Sequence, residues 1–177
     1  MFYASSGFIT QNNSTKMKEI PEKGVSSQAV ANQFLEMAEQ LGLVLTNMQV
    51  QKLVYIANGF HLGFTGKPLT YDKIHAWQFG PVIPCLYKVL QKFGNGPVTG
   101  RLRTEDAVSD DSFAFKVIDQ VWKAYGKMSG SKLSALTHLP GSPWHKTWER
   151  DENRFGVIPV EMIADHYRER LNNVAEK

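Results

Sequence analysis

KLVYIANGFHLGFTGKPLTYDKIHAWQFGPVIP, residues 52–84, decides how this chain folds. Just upstream, Thr46-Asn47-Met48-Gln49 fits a capping box, with Gln three residues after Thr. The helix that it opens is predicted to run to about Thr65, where Gly66 ends it. On a helical wheel Val50, Leu53, Val54, Ile56, Ala57, Phe60 and Phe64 fill one broad arc that must be buried. Asn47, Gln51, Lys52 and Asn58 fall opposite, and among them runs a heptad-spaced stripe of Met48, Tyr55 and Leu62. Two apolar stripes mean contacts on two sides. Either the helix is the centre of the core, or the second stripe docks a partner. After a Gly66-Lys67-Pro68-Leu69 turn, Ile74–Phe79 alternates apolar and polar residues in part and is predicted to be extended. Gly80-Pro81 breaks that segment, and a new helix starts at about Val82 or Pro84, burying Ile83, Leu86, Tyr87 and Leu90.

Outward from this centre the chain reads as helices. Ser26 or Ser27 caps a first helix whose apolar face is Val30, Phe34, Met37, Ala38 and Leu41, with Gly42 after it. Gly94-Asn95-Gly96-Pro97 stops the helix that follows Pro84. Residues 95–112 read as a loop, with a short strand near Arg101–Arg103. Phe113 to Tyr125 is predicted to be helical, with Ile118, Val121, Trp122 and Tyr125 on one face. Ser129 or Ser131 caps a short helix through Leu133 and Leu136, and Pro143 opens another that holds Trp144 and Trp148. A last helix begins at Ile158-Pro159, buries Val160, Ile163, Tyr167 and Leu171, and frays beyond. The expected fold is mainly α: a single compact helical domain, residues 25–177, with one or two short β segments and a flexible leader, residues 1–24, that is polar and aperiodic. Met17 offers an alternative translation start within that leader.

With 42% hydrophobic residues in 177, the chain has enough apolar material for a core without staples, and its single cysteine, Cys85, has no internal disulfide partner. This suits a reducing, cytoplasmic setting. No apolar run approaches the ~20 residues of a membrane span, and no secretory signal is legible. A net charge of +3, from interleaved acidic and basic residues, gives none of the basic face or arm of a dedicated nucleic-acid binder.

The chemistry of enzymes and metal sites finds little purchase. Paired cysteines and a His-Glu-x-x-His helix are missing, so no metal ligands or cofactor-binding residues are predicted. His138 and His145 are read as structural, and His61, at the edge of the buried arc, as hydrogen-bonded or half exposed. Cys85 follows Pro84 at a helix start, which favours thiolate. Without a nucleophile signature around it, it reads as a small buried residue rather than the nucleophile of a hydrolase. Asp110-Asp111 and Glu105-Asp106 lie in a loop and read as solvated. Four tryptophans and Phe79 without interleaved basic residues read as packing rather than base stacking.

Several strings taken together resemble the Panacea domain, a family of antitoxins found in prophages and toxin–antitoxin operons. They are Leu53-Val54-Tyr55-Ile56-Ala57-Asn58-Gly59-Phe60-His61-Leu62, Thr65-Gly66-Lys67-Pro68-Leu69, Ile74 through Pro84, Leu133-Ser134-Ala135-Leu136-Thr137-His138, and Pro143-Trp144. The resemblance implies a mainly helical, non-enzymatic domain that neutralises a cognate protein toxin by binding it, with no catalytic residues. Some family members carry an added DNA-binding domain, for which the leader here is too short and too polar. Alternative roles are a proteolytic adaptor that delivers a toxin to a cytosolic protease, a nucleic-acid-binding autoregulator, and a Cys85 hydrolase. Candidate partner-binding residues are Met48, Tyr55, Leu62, Trp77, Phe79, Gly80 and Pro81. Trp77 and Phe79 are good anchor types and, in one extended strand, share a side; that placement equally suits a core lock between strand and helix, and the core reading is the preferred one. The Gly80-Pro81 and Pro84 constraints lower the ordering cost of binding. An exposed Met48/Tyr55/Leu62 stripe would also allow self-association.

Overall fold

A computed structural model describes residues 24–175; the leader through residue 23, with Met17, lies outside the described residues. The chain's centre is the helix that the capping box announced. We label the elements α1 (Ser27–Gln40), α2 (Asn47–Thr65), β1 (His75–Trp77), β2 (Gly80–Val82), α3 (Pro84–Leu90), α4 (Phe113–Tyr125), α5 (Gly130–Thr137), α6 (Pro143–Trp148) and α7 (Val160–Ala175). Thr46 Oγ1 accepts the Gln49 N–H while Gln49 Oε1 accepts the Thr46 N–H, and Gly66 ends α2 at φ +69°. All residues from Val50 to Leu62 are buried. Gln51, Lys52 and Asn58, expected to face away from the core, are 3%, 1% and 3% exposed. The reason is that α2 has no solvent face over this span: α1, α4, α5, α7 and β2 all pack on it. The bulky end of the arc, Phe64, emerges at the surface.

Local signals set the other helices. Ser26, Ser112, Ser129 and Ser142 each accept an N–H of the first turn, and Pro143 occupies the first turn of α6. α1 closes with both Schellman hydrogen bonds, Gly42 N–H to Glu39 O at 2.9 Å and Leu43 N–H to Ala38 O at 2.8 Å, with Gly42 at φ +64°. That closure swings Leu41 out to 56% exposure, so it leaves the buried face predicted for it. On α3, Leu86 and Leu90 are buried but Tyr87 is exposed, and a 3-10 turn (Gln91–Phe93) continues the helix. On α7, Ile163 and Tyr167 are buried as predicted, whereas Val160 is exposed at the helix start. The helix carries on past Leu171 to Ala175 instead of fraying there.

Two corrections concern extended segments. Gly80-Pro81 does not break the strand and restart a helix. It turns back as β2, antiparallel to β1, pairing His75 with Val82 and Trp77 with Gly80 around a Gln78-Phe79 turn. Proline fits because β2 is an edge strand with no further neighbour in the sheet. The helix then begins at Pro84. Residues 155–158 run along the other edge of β1, where Phe155 N–H donates to Ala76 O, Ala76 N–H to Gly156 O and Ile158 N–H to Ile74 O. No strand forms at Arg101–Arg103. The Asn32 side chain of α1 takes a strand's place, donating to Leu102 O at 2.9 Å and accepting its N–H at 2.8 Å.

α2 and α7 approach closely because Gly59 and Gly63 present no side chain. A Cβ on Gly59 would lie 2.2 Å from the Tyr167 ring, which is itself wedged edge-on against Tyr55 and Phe60. In an exposed helix, alanine is worth about 1 kcal/mol over glycine. Here the sign reverses: Gly59→Ala is expected to cost about 1–3 kcal/mol through overpacking, read as a lower urea midpoint with an unchanged m-value.

Candidate functional site

The strings that looked separate in the sequence converge on the β1–β2 hairpin. Lys52 Nζ donates to Pro81 O at 3.0 Å, Ser134 Oγ to Phe79 O at 3.1 Å and Trp144 Nε1 to Trp77 O at 2.7 Å. His138 Nδ1 donates to Ser134 O at 2.5 Å, and its ring lies 3.9 Å from that of Trp144. Gly80 sits at the meeting point with φ +102°. A Cβ there would come within 2.8 Å of Lys52 Nζ, 2.9 Å of His138 Cε1 and 3.0 Å of Thr137 Oγ1. Backbone geometry and space both demand glycine at this position. The hairpin turn is thus clamped by α2, α5 and α6 together.

On its open side lies a groove of about 620 Å³. Trp77, Phe79 and Val82 of the hairpin and Tyr87 of α3 form one wall, Met48, Gln51 and Lys52 of α2 another, with Gly130 and Ser131 at the start of α5 and Phe155 at the rim. Trp77 and Tyr87 meet edge-to-face at 5.2 Å. Phe79 is 63% and Phe155 59% exposed. Phe155 also has a left-handed backbone, φ +63°, which is costly for an aromatic residue. Its position is set by the hydrogen bonds to β1 and by Trp148, which meets its ring at 5.3 Å.

Among the candidate partner-binding residues, Met48, Trp77 and Phe79 line this groove, and Gly80 and Pro81, both buried, shape the hairpin behind it. Tyr55 and Leu62 are elsewhere: they are 2% and 0% exposed, and Tyr55 meets Tyr167 of α7 edge-on. The second stripe of α2 is therefore filled from inside at Tyr55 and Leu62, and only Met48 of the three is left at the surface. Nor do Trp77 and Phe79 share one side of a strand, because Phe79 occupies the turn. Lys52, Tyr87 and Phe155 were not picked out in the sequence. Lys52 had the polarity of a solvent face, and Phe155 reaches the site only through pairing across some eighty residues.

Lys52 is the electrostatic feature of the groove. Among the described residues its ammonium makes one hydrogen bond and no ion pair, and burial pushes its pKa from 10.5 down to about 7. Other titratable groups are quieter. His61 is buried, donates Nδ1–H to Lys67 O at 2.8 Å, and is held below its usual pKa by that burial. His145 pairs with Glu149 at 3.0 Å. Cys85 is exposed, contrary to the buried position expected, because the first turn of α3 faces outward there. Local desolvation, with a contribution from Asp72, raises its thiol pKa, the opposite of what activates a nucleophile. Among the described residues no cluster of His, Cys, Asp and Glu could hold a metal ion, and no helix is long and apolar enough to cross a membrane.

A mostly helical domain with a clamped hairpin beside an aromatic groove is the class that these observations define. Residues 50–145 match the family model for the antitoxin SocA-like Panacea domain, and the chain belongs to that family. It is 34% identical over 158 residues to Antitoxin SocA of Caulobacter vibrioides (strain NA1000 / CB15N), covering 82% of this chain and 84% of that protein. No solved structure matches it. The matched span begins inside α2 and ends in α6, so it holds the hairpin and all of its clamps.

The Lys52 shift has a definite consequence for stability. Between pH 7 and 10.5 the unfolded chain retains a proton that the folded chain has released, so stability rises with pH there; below pH 7 both states are protonated and the penalty is complete. The slope from this group is at most about 1.4 kcal/mol per pH unit. Lys52→Met removes the titrating amine but leaves Pro81 O unpaired, so it is expected to lack the rise with pH, as measured by urea denaturation at pH 7 and pH 9.

Proposed function

We propose that this chain is an antitoxin that neutralises a cognate protein toxin by direct, non-catalytic binding, and that the groove edged by Met48, Trp77, Phe79 and Phe155 is its contact surface. The observation that carries the reading is the pair of exposed aromatics, Phe79 and Phe155, held over a groove whose hairpin is fixed by three helices. Large apolar side chains left in water on a rigid frame suit an interface, since aromatic anchors dominate binding energy and a pre-ordered surface loses little entropy on docking. Membership of an antitoxin family supplies the class of partner.

A nucleic-acid surface is a poorer fit, because among the described residues Lys52 is the one charged side chain in the groove lining and it is buried. The test is co-expression with the product of the neighbouring open reading frame. Wild type is expected to restore growth and to co-purify with that product. Phe79→Ala is expected to weaken the complex at least about tenfold, with stability changed by no more than about 0.5 kcal/mol because the ring is exposed. Full rescue without any complex would sink the binding mechanism. Undiminished affinity in Phe79→Ala would remove the groove as the contact.

A further inference from the structure

The groove has one feature that an aromatic docking surface does not need: a cation at its base. Lys52 Nζ is 1% exposed as a residue, donates to Pro81 O, and meets no carboxylate; its two remaining N–H groups have no partner among the described residues. Burying such a charge without a counter-charge costs the free fold, and the single hydrogen bond to Pro81 O offsets only part of that. Docking a purely apolar segment would bring the ammonium no compensating partner. A segment that brings a negative charge reverses the balance. The surrounding Trp77, Phe79, Val82, Tyr87 and Met48 side chains keep the local dielectric low, where a close ion pair is strongest.

We propose that the groove is a carboxylate-receiving site: a segment of the protein partner enters it with an aspartate or glutamate side chain seated on Lys52 Nζ and apolar neighbours against the aromatic walls. This rests on the groove being the toxin contact and adds the chemistry of what it selects. A single ammonium suits a single carboxylate. Among the described residues no arginine fork or second cation lines the groove, as recognition of a phosphate dianion would require. Gln51, the neighbouring side chain, is already committed at both ends to Ile83, accepting its N–H at 2.9 Å and donating to its carbonyl. Lys52 is thus the charged donor that the groove offers a ligand.

The test uses the full chain with its lysine side chains isotope-labelled for NMR. The Lys52 titration midpoint is followed with 3-phenylpropionate, an aromatic carboxylate, and with its neutral analogue 3-phenylpropanamide. Tyr87 from α3 and His138 at the end of α5 are the titratable groups that adjoin Lys52 from the elements packed there, and their resonances are followed alongside. The acid is expected to raise the Lys52 midpoint by one unit or more, a tenfold preference for the charged amine; the amide is expected to leave it in place. Lys52→Met, which keeps the length of the side chain, is expected to bind the acid no better than the amide. Equal binding of acid and amide to wild type, or retention of acid binding in Lys52→Met, would overturn the proposal. So would a Lys52 midpoint that moves as far on deleting residues 1–23 or on dilution, since the occupant would then be this chain itself. Loss of the groove as toxin contact, read from Phe79→Ala, leaves the acid-against-amide comparison intact, so the two failures are distinguishable.

Discussion

A helix buried on every side cannot leave a polar side chain without a partner, and this constraint shapes the whole molecule. From Val50 to Leu62, α2 meets protein in all directions. Its polar residues are therefore spent on stretches of chain that have no regular partner of their own. Gln51 brackets both backbone groups of Ile83, Lys52 holds Pro81 O, Asn58 Oδ1 accepts the N–H groups of Leu69 and Thr70, and His61 takes Lys67 O. Each satisfies a buried backbone group that would otherwise cost on the order of 1–3 kcal/mol. In this way one helix fixes the turn after itself, the hairpin, and the entry to α3. Asn32 of α1 does the same for Leu102 in the long loop.

The same constraint explains what could and could not be read from the sequence. Helix ends were legible because their signals are local: a serine and the N–H three residues on, Thr46 with Gln49, a glycine at positive φ. The limits of α2 follow from these alone. Illegible were the facts that depend on a distant partner. Gln51 and Lys52 pattern as a solvated face until residues 29 to 32 positions away present their backbones to them. Gly80-Pro81 is a breaker by composition and became a strand because β1 offers an edge and Lys52 holds the proline carbonyl. Leu41 and Val160 fail for a smaller reason. Each sits where a helix begins or ends, and the periodicity of the stripe carries no information about the direction in which the chain leaves.

The site divides along the same line. Trp77 and Phe79 could be read from residue type and the constrained Gly-Pro corner either as a core lock or as anchors, and both line the groove. Phe155 had no comparable signal, since its placement comes from β1 pairing and an unusual backbone conformation. Tyr55 and Leu62 had the right spacing for a second face, but heptad spacing does not distinguish a partner helix in another protein from one in the same chain, and α7 supplied it.

Support for the groove comes from behind as well as from its lining. Trp144 donates to Trp77 O, its ring stacks on Trp148 at 5.6 Å and 15°, and Trp148 meets Phe155 edge-on. This aromatic chain runs from the hairpin to the opposite rim, so the positions of Trp77 and Phe155 are set by one packed unit. A rim built this way is a poor absorber of strain, because close-packed rings have few alternative rotamers. Its ordering cost is met on folding rather than on binding. The buried lysine belongs to the same economy of shape. The hydrogen bond that fixes the hairpin carbonyl also fixes the ammonium, and it does so without neutralising the charge. Rigidity and an unpaired cation therefore arise from one contact, Lys52 to Pro81, and cannot be varied independently.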